Sequence, residues 1–260
     1  MDYNAATLQL KEDLRLRTEP LGVKFIKNAA DLPDKTRRPA EVLKKKVTIC
    51  QGLTMARVYG WNVGLTKDDL ICIPAMLAFG LTPAADPVTE LGQLFCEVGF
   101  HPEVGPGIQE AQALPHLAAG QLEALYLSPL ARIKSDPDIV LVYGNPAQLI
   151  RLIGAATFSF QDRVRGSFGG KVECAEYLIG PFQSQQMRVA IPGMGDRIFS
   201  MTQDDELIMA FPIKFLEGLL TGLKEAGRQI GARYPITFYQ NFQPEFPKPY
   251  QKLAKKLGMA

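Results

Sequence analysis

Apolar and polar positions alternate along this chain in segments that switch between the helical and the extended period. Residues 4–18 carry Leu8 and Leu14 on one side, with Lys11, Glu12, Asp13 and Arg15 mostly off it, which predicts an amphipathic helix ended by Pro20. Residues 21–26 (LGVKFI) then read as a strand. The polar, proline-bearing stretch 31–38 reads as a loop or short helix, and Pro39 is placed to open a helix continuing through 40–46. The mostly apolar segment 47–59 is expected to be helical in its second half. Thr66-Lys67-Asp68-Asp69 looks like a helix cap with early acids, a short apolar stretch runs from Cys72 to Gly80, and residues 89–99 follow as a helix. Pro102, Pro106 and Pro115 forbid one regular helix over 101–121.

The second half is sharper. Residues 122–133 have strand character, and 138–143 (DIVLVY) form the clearest strand of the chain. Gly144-Asn145-Pro146 turns into a helix over 147–156, with Leu149, Ile150, Leu152 and Ile153 as core candidates. A loop at 166–170, a helix around Cys174, and strands at 187–191, 197–201 and 206–211 follow. A final helix spans 214–228, with Phe215, Leu216, Leu219, Leu220 and Leu223 as its stripe. Residues 23–32 and 141–149 echo one another as strand, asparagine and helix start, and a cysteine follows each. Such a duplication would put Cys50 and Cys174 in comparable places. The fold class expected is α+β, or mixed α/β, as a single unit over 1–260 with room for two similar halves near 1–121 and 122–240.

Composition narrows the function classes. The chain has 260 residues, 47% hydrophobic and 22% charged, as expected of a folded domain. Its net charge of +2 gives no basic excess for nucleic acid, and its longest uncharged run is broken by Pro74, Gly80 and Pro83, so neither nucleic acid nor a membrane is expected as a partner. The first residues show no secretory signal pattern, and the expected setting is the cytoplasm.

Gly193-x-Gly195 is read as a hairpin turn, because a strand rather than a helix is expected after it. Residues 166–171 lack the spacing of a phosphate loop, since Val172 stands where a hydroxyl residue would hold magnesium. Only His101 and His116 are present, which leaves little for histidine-based catalysis. The most unusual segment is Cys50-Gln51-Gly52 through Ala56-Arg57-x-Tyr59-Gly60-Trp61. It combines the only tryptophan, an arginine and a thiol at a helix start, where the dipole is expected to lower the thiol pKa. The bland reading of Cys50 is a small buried hydrophobe. Asp196 and Arg197 are expected to be fixed by the glycine turn in a structural or site-forming role, Arg197 either in an internal salt bridge to Asp205 or Glu206 or in contact with a ligand.

Those segments, with Asp69-Leu70-x-Cys72, Gly144-Asn145-Pro146-Ala147-Gln148, Cys174-Ala175-Glu176, Gly193-x-Gly195-Asp196-Arg197 and Asp205-Glu206, occur in an order and spacing that resembles the DUF169 family. These are the uncharacterised ArCR proteins of archaea and anaerobic bacteria. The resemblance runs from about residue 5 to residue 228 and implies no activity. It implies recurring cysteines at Cys50, Cys72 and Cys174, with Cys96 matching less clearly.

The leading expectation is therefore a protein of anaerobic metabolism whose Cys50, Cys72, Cys96 and Cys174 hold an iron–sulfur cluster, most simply [4Fe–4S], for electron transfer or small-molecule redox chemistry. Zinc on the same cysteines, with His101 in place of Cys96, is the alternative. A metal-free module is the third reading, with Arg57, Trp61 and Arg197 lining a pocket for an anionic ligand. A redox partner protein, a small-molecule ligand and a homo-oligomer are all compatible with these readings.

Overall fold

A computed structural model describes residues 1–235 and 246–259. Its centre is a six-stranded, fully antiparallel sheet of strands β1 (Leu21–Ile26), β2 (Val63–Thr66), β3 (Ala124–Pro129), β4 (Ile139–Gly144), β5 (Arg188–Ala190) and β6 (Leu207–Pro212). Their order across the sheet is β2-β3-β1-β4-β6-β5. Eleven α-helices surround it among the described residues. They are α1 (Tyr3–Leu14), α2 (Pro39–Val42), α3 (Ile49–Arg57), α4 (Ile73–Ala78), α5 (Pro87–Glu97), α6 (Val104–Ala113), α7 (Pro146–Phe160), α8 (Gly180–Ser184), α9 (Met194–Ser200), α10 (Leu216–Glu225) and α11 (Lys248–Lys256).

The sheet is covered on both faces. Val23, Leu127, Leu141, Tyr143 and Ile208 face one core, which α3, α4, α5, α6 and the π-helical turn Ala175–Ile179 ahead of α8 complete. Val140, Val142, Met209 and Phe211 face the other core, closed by α1, α7 and α10. A central strand buried on both sides must be apolar at consecutive positions, which is why 139–143 reads so clearly in the sequence.

Exchanging β1, β2 and β3 for β4, β5 and β6 leaves the strand order unchanged, and the register is preserved as well. Leu21 faces Pro129 as Ile139 faces Pro212, and Ile26 faces Ala124 as Gly144 faces Leu207. Gly22 and Val140 face each other where the two sets meet. Both β3 and β6 end on a proline, which cannot donate to the ladder, and both run into a 3₁₀ turn. A boundary at 121 separates β3 from the strands with which it pairs.

Local sequence explains the main helix starts. Thr48 and Gln51 form a reciprocal capping box on α3, and Asn145 and Gln148 do the same on α7, where Pro146 takes the first turn. Six expectations are corrected. Residues 197–201 belong to α9 and not to a strand, because Asp196 accepts the Gly193 N–H at 3.0 Å and closes a helical first turn that overrides the strand preference of Ile198 and Phe199. The strand-and-hairpin reading of Gly193-x-Gly195 falls with it. Ile150 points to solvent at 58% exposure while Leu149 and Leu152 are buried, and on α1 it is Leu10, not Leu8, that joins Leu14 in the core. The helices at 40–46 and 214–228 are shorter than expected, ending at Val42 and Glu225.

Candidate functional site

Three of the four cysteines enter the structure at helix starts on the same face of the sheet. Cys50 occupies the first turn of α3, Cys72 is the N-cap of α4, and Cys174 immediately precedes the π-helical turn. Burial shifts all three thiols in the same direction. Cys174 is buried, and burial pushes its thiol well up, with Cys72, Asp196 and Cys50 adding to the rise. Burial pushes the Cys50 thiol up to about 11, again with Asp196 and Cys72 contributing. Burial also raises Cys72, against a hydrogen bond from the Ala75 backbone. The lowered pKa expected for Cys50 is thus reversed: desolvation of a thiolate outweighs the helix terminus. The hydroxyl of Thr48 lies 2.9 Å from the Cys50 Sγ, which also donates to the Gly195 carbonyl at 3.6 Å.

Asp196 closes the group from α9. It is 4% exposed and accepts both the Gly193 N–H and the Tyr177 hydroxyl, the latter at 2.8 Å. Burial raises its carboxyl, which those two hydrogen bonds and the charges of Arg57 and Arg197 oppose. Tyr143, at the end of β4, and Tyr177 are both buried, and burial holds their phenols protonated. Thr54 donates to the Ser200 carbonyl and ties α3 to α9.

Beneath this group Arg57 makes two hydrogen bonds to Glu206, at 2.9 and 3.1 Å, and its guanidinium lies 4.1 Å from the Tyr143 ring centroid. Beside Cys174, Glu173 is buried with Oε2 unpartnered, while Oε1 accepts the N–H groups of Gly169 and Gly170. Burial lifts this carboxyl to about 7.

The remaining residues singled out from the sequence lie elsewhere or are already paired. Cys96 sits on α5 beside the buried Phe95 and is not among the groups that shift the other three thiols. His101 follows α5, and its Nε2 is buried without a partner. Trp61 is half-buried under the Arg37 guanidinium, 4.3 Å from the ring centroid. Arg197 donates to the Gln203 carbonyl at 2.5 Å and pairs with Asp204 at 3.7 Å. Neither expected partner serves it, because Glu206 takes Arg57 and Asp205 takes Arg17 at 2.7 Å. Among the described residues, no three His, Cys, Asp or Glu side chains stand ready as a metal-ligand set.

Sequence reasoning missed Tyr143, Tyr177, Glu173 and the Arg57–Glu206 pair. A tyrosine closing an otherwise aliphatic strand was the available signal for Tyr143. The others are partners across long separations and leave no local pattern.

Known proteins add the following. A protein of Methanocaldococcus jannaschii described as uncharacterised is similar, at 21% identity over 228 residues, covering 86% of this chain and 96% of that protein. No solved structure matches the chain. No helix among the described residues is long and apolar enough to cross a membrane. The model of the DUF169 family, described as uncharacterised ArCR, matches residues 9–222, the whole sheet and most of both helical layers included, and the chain belongs to that family.

Proposed function

We propose that Cys50, Cys72 and Cys174 are the protein ligands of an iron–sulfur cluster that serves electron transfer or redox chemistry on a small molecule. The observation that carries this reading is the placement of the three thiols, which come from three separate elements and each stand at a helix start on one face of the sheet. The donor chemistry fits, because thiolates are the ligands that soft metals and such clusters take. The side chains as placed are not a finished ligand set, so loading requires the thiols to lose their protons and draw together. A cluster would supply reversible one-electron transfer. Nearby side chains would be held in place around such a group: Tyr177 donates to Asp196, and Arg57, paired with Glu206, packs on the Tyr143 ring.

With three thiolates, one position on a cluster stays open, either for Cys96 after a rearrangement or for a substrate. This reading goes with a cytoplasmic protein of anaerobic metabolism that exchanges electrons with a partner protein or a small molecule. Zinc on the same three cysteines is the second reading, since thiolates take zinc as readily as they take iron–sulfur clusters. Nothing supports an anionic pocket on Arg57, Trp61 and Arg197, each of which is already engaged.

The test is the absorption spectrum of protein purified without air. A broad band near about 400 nm, lost in Cys174→Ser, supports the cluster. A colourless protein with stoichiometric zinc supports the second reading.

A further inference from the structure

Helix α11 differs from every other long helix of the structure in that none of its residues is buried. It lies beyond the residues that match the family. Its sequence is nonetheless strongly two-sided. Tyr250, Leu253 and Leu257 fall at i, i+3 and i+7 on one side, and they are 50%, 50% and 61% exposed. Phe246 extends that side and stacks edge-on against Tyr250, with ring centroids 5.8 Å apart. Lys248, Lys252, Lys255 and Lys256 occupy the opposite side, and no acidic residue occurs from Phe246 to the last residue.

A nine-residue helix gains too few hydrogen bonds to be stable alone in water, so its apolar side must be covered by something. The helices that cover the sheet meet this need with their own cores, as α1 does through Leu10 and Leu14. For α11 the charge decides what the cover is. A lysine face without a single acid carries no pattern to set register on a folded partner, but it matches a diffuse negative surface.

We propose that α11 docks the protein on an anionic membrane surface, lying in the headgroup region with Phe246, Tyr250, Leu253 and Leu257 turned into the acyl boundary. It lies on the bilayer and does not cross it, since nine residues are far short of a span. The lysines supply the attraction and the aromatic and leucine side chains supply the depth. Both contributions are needed, because one short apolar face binds weakly by itself.

Co-sedimentation of the full chain with vesicles tests this. Vesicles containing phosphatidylglycerol are expected to carry the protein down, and pure phosphatidylcholine vesicles to bind it about ten-fold less. High salt, which screens the lysines, is expected to release it. The variant Lys252→Glu/Lys255→Glu/Lys256→Glu and the separate variant Leu253→Asp/Leu257→Asp should each lose binding while keeping the wild-type circular dichroism spectrum. Equal binding to neutral vesicles, full binding by either variant, or no binding at all overturns the proposal. So does tight binding of an acidic protein that leaves the vesicles unoccupied.

Discussion

Arg57 and Glu206, 149 residues apart, form a two-bond ion pair in which both side chains are almost fully withdrawn from water. The pair joins the end of α3 to the start of β6 and so links the two sets of strands across the face that holds the thiols. Removing one partner leaves the other charge buried and unpaired. Arg57→Ala and Glu206→Ala are each expected to cost about 3–5 kcal/mol. The double variant Arg57→Met/Glu206→Leu should recover most of that loss, as read by urea denaturation. Single variants that unfold with wild-type midpoints would show that the pair contributes nothing.

Asp196 carries two structural bonds at once, closing the first turn of α9 and receiving the Tyr177 hydroxyl. Tyr177→Phe removes one bond and leaves a buried acceptor that keeps its backbone partner. It should cost about 1 kcal/mol, and Asp196→Ala about 1–3 kcal/mol. Thermal unfolding of both variants checks the order. An Asp196→Ala protein as stable as wild type contradicts it.

The raised thiols predict a distinctive labelling profile in metal-free protein. At pH 8 the thiolate fraction of Cys50, with its pKa near 11, should be about 100-fold below that of an ordinary thiol. Iodoacetamide should therefore modify Cys50 far more slowly in the folded protein than in urea-unfolded protein, with Cys72 and Cys174 slowed as well, as read by peptide mapping. The sign for stability follows. Unfolded thiols ionise near their usual pKa while folded Cys50 keeps its proton, so stability falls as pH rises from about 9 towards 11. Rapid labelling of Cys50 at neutral pH would contradict this environment.

Helices α7 and α10 touch at Gly222, where an added Cβ would lie 2.4 Å from the Ala155 carbonyl oxygen. Backbone cannot yield as a flexible side chain can, so Gly222→Ala is expected to cost about 1–3 kcal/mol. An unchanged melting temperature would mean that the two helices slide apart freely.

Features written locally were legible in the sequence. Strand β4 showed as a continuous apolar run, and α7 as an Asn-Pro start followed by Gln148. Cys50 was legible as a thiol at a helix start, whereas Cys72 read only as the opening of a short apolar stretch. Features set by distant partners were not legible. Helix α9 looks extended by composition, because Ile198 and Phe199 favour strands, and only the bond from the Gly193 N–H to Asp196 decides otherwise. The Cys50 thiol was misjudged for a related reason. A helix start can be read from the sequence, whereas the burial that reverses its effect depends on distant chain such as α9, whose Gly195 carbonyl accepts from the Cys50 thiol. The partners of Arg57 and Arg197 were likewise settled by geometry, with four candidate acids clustered at Asp196, Asp204, Asp205 and Glu206.

The measurement that bears most directly on the central claim is the iron and acid-labile sulfide content of protein purified without air, taken for the wild type and for serine variants of each cysteine. The account predicts both elements in the wild type, their loss in Cys50→Ser, Cys72→Ser and Cys174→Ser, and their retention in Cys96→Ser. Wild-type protein free of iron and sulfide, or a content unchanged by loss of Cys50, Cys72 or Cys174, would contradict it.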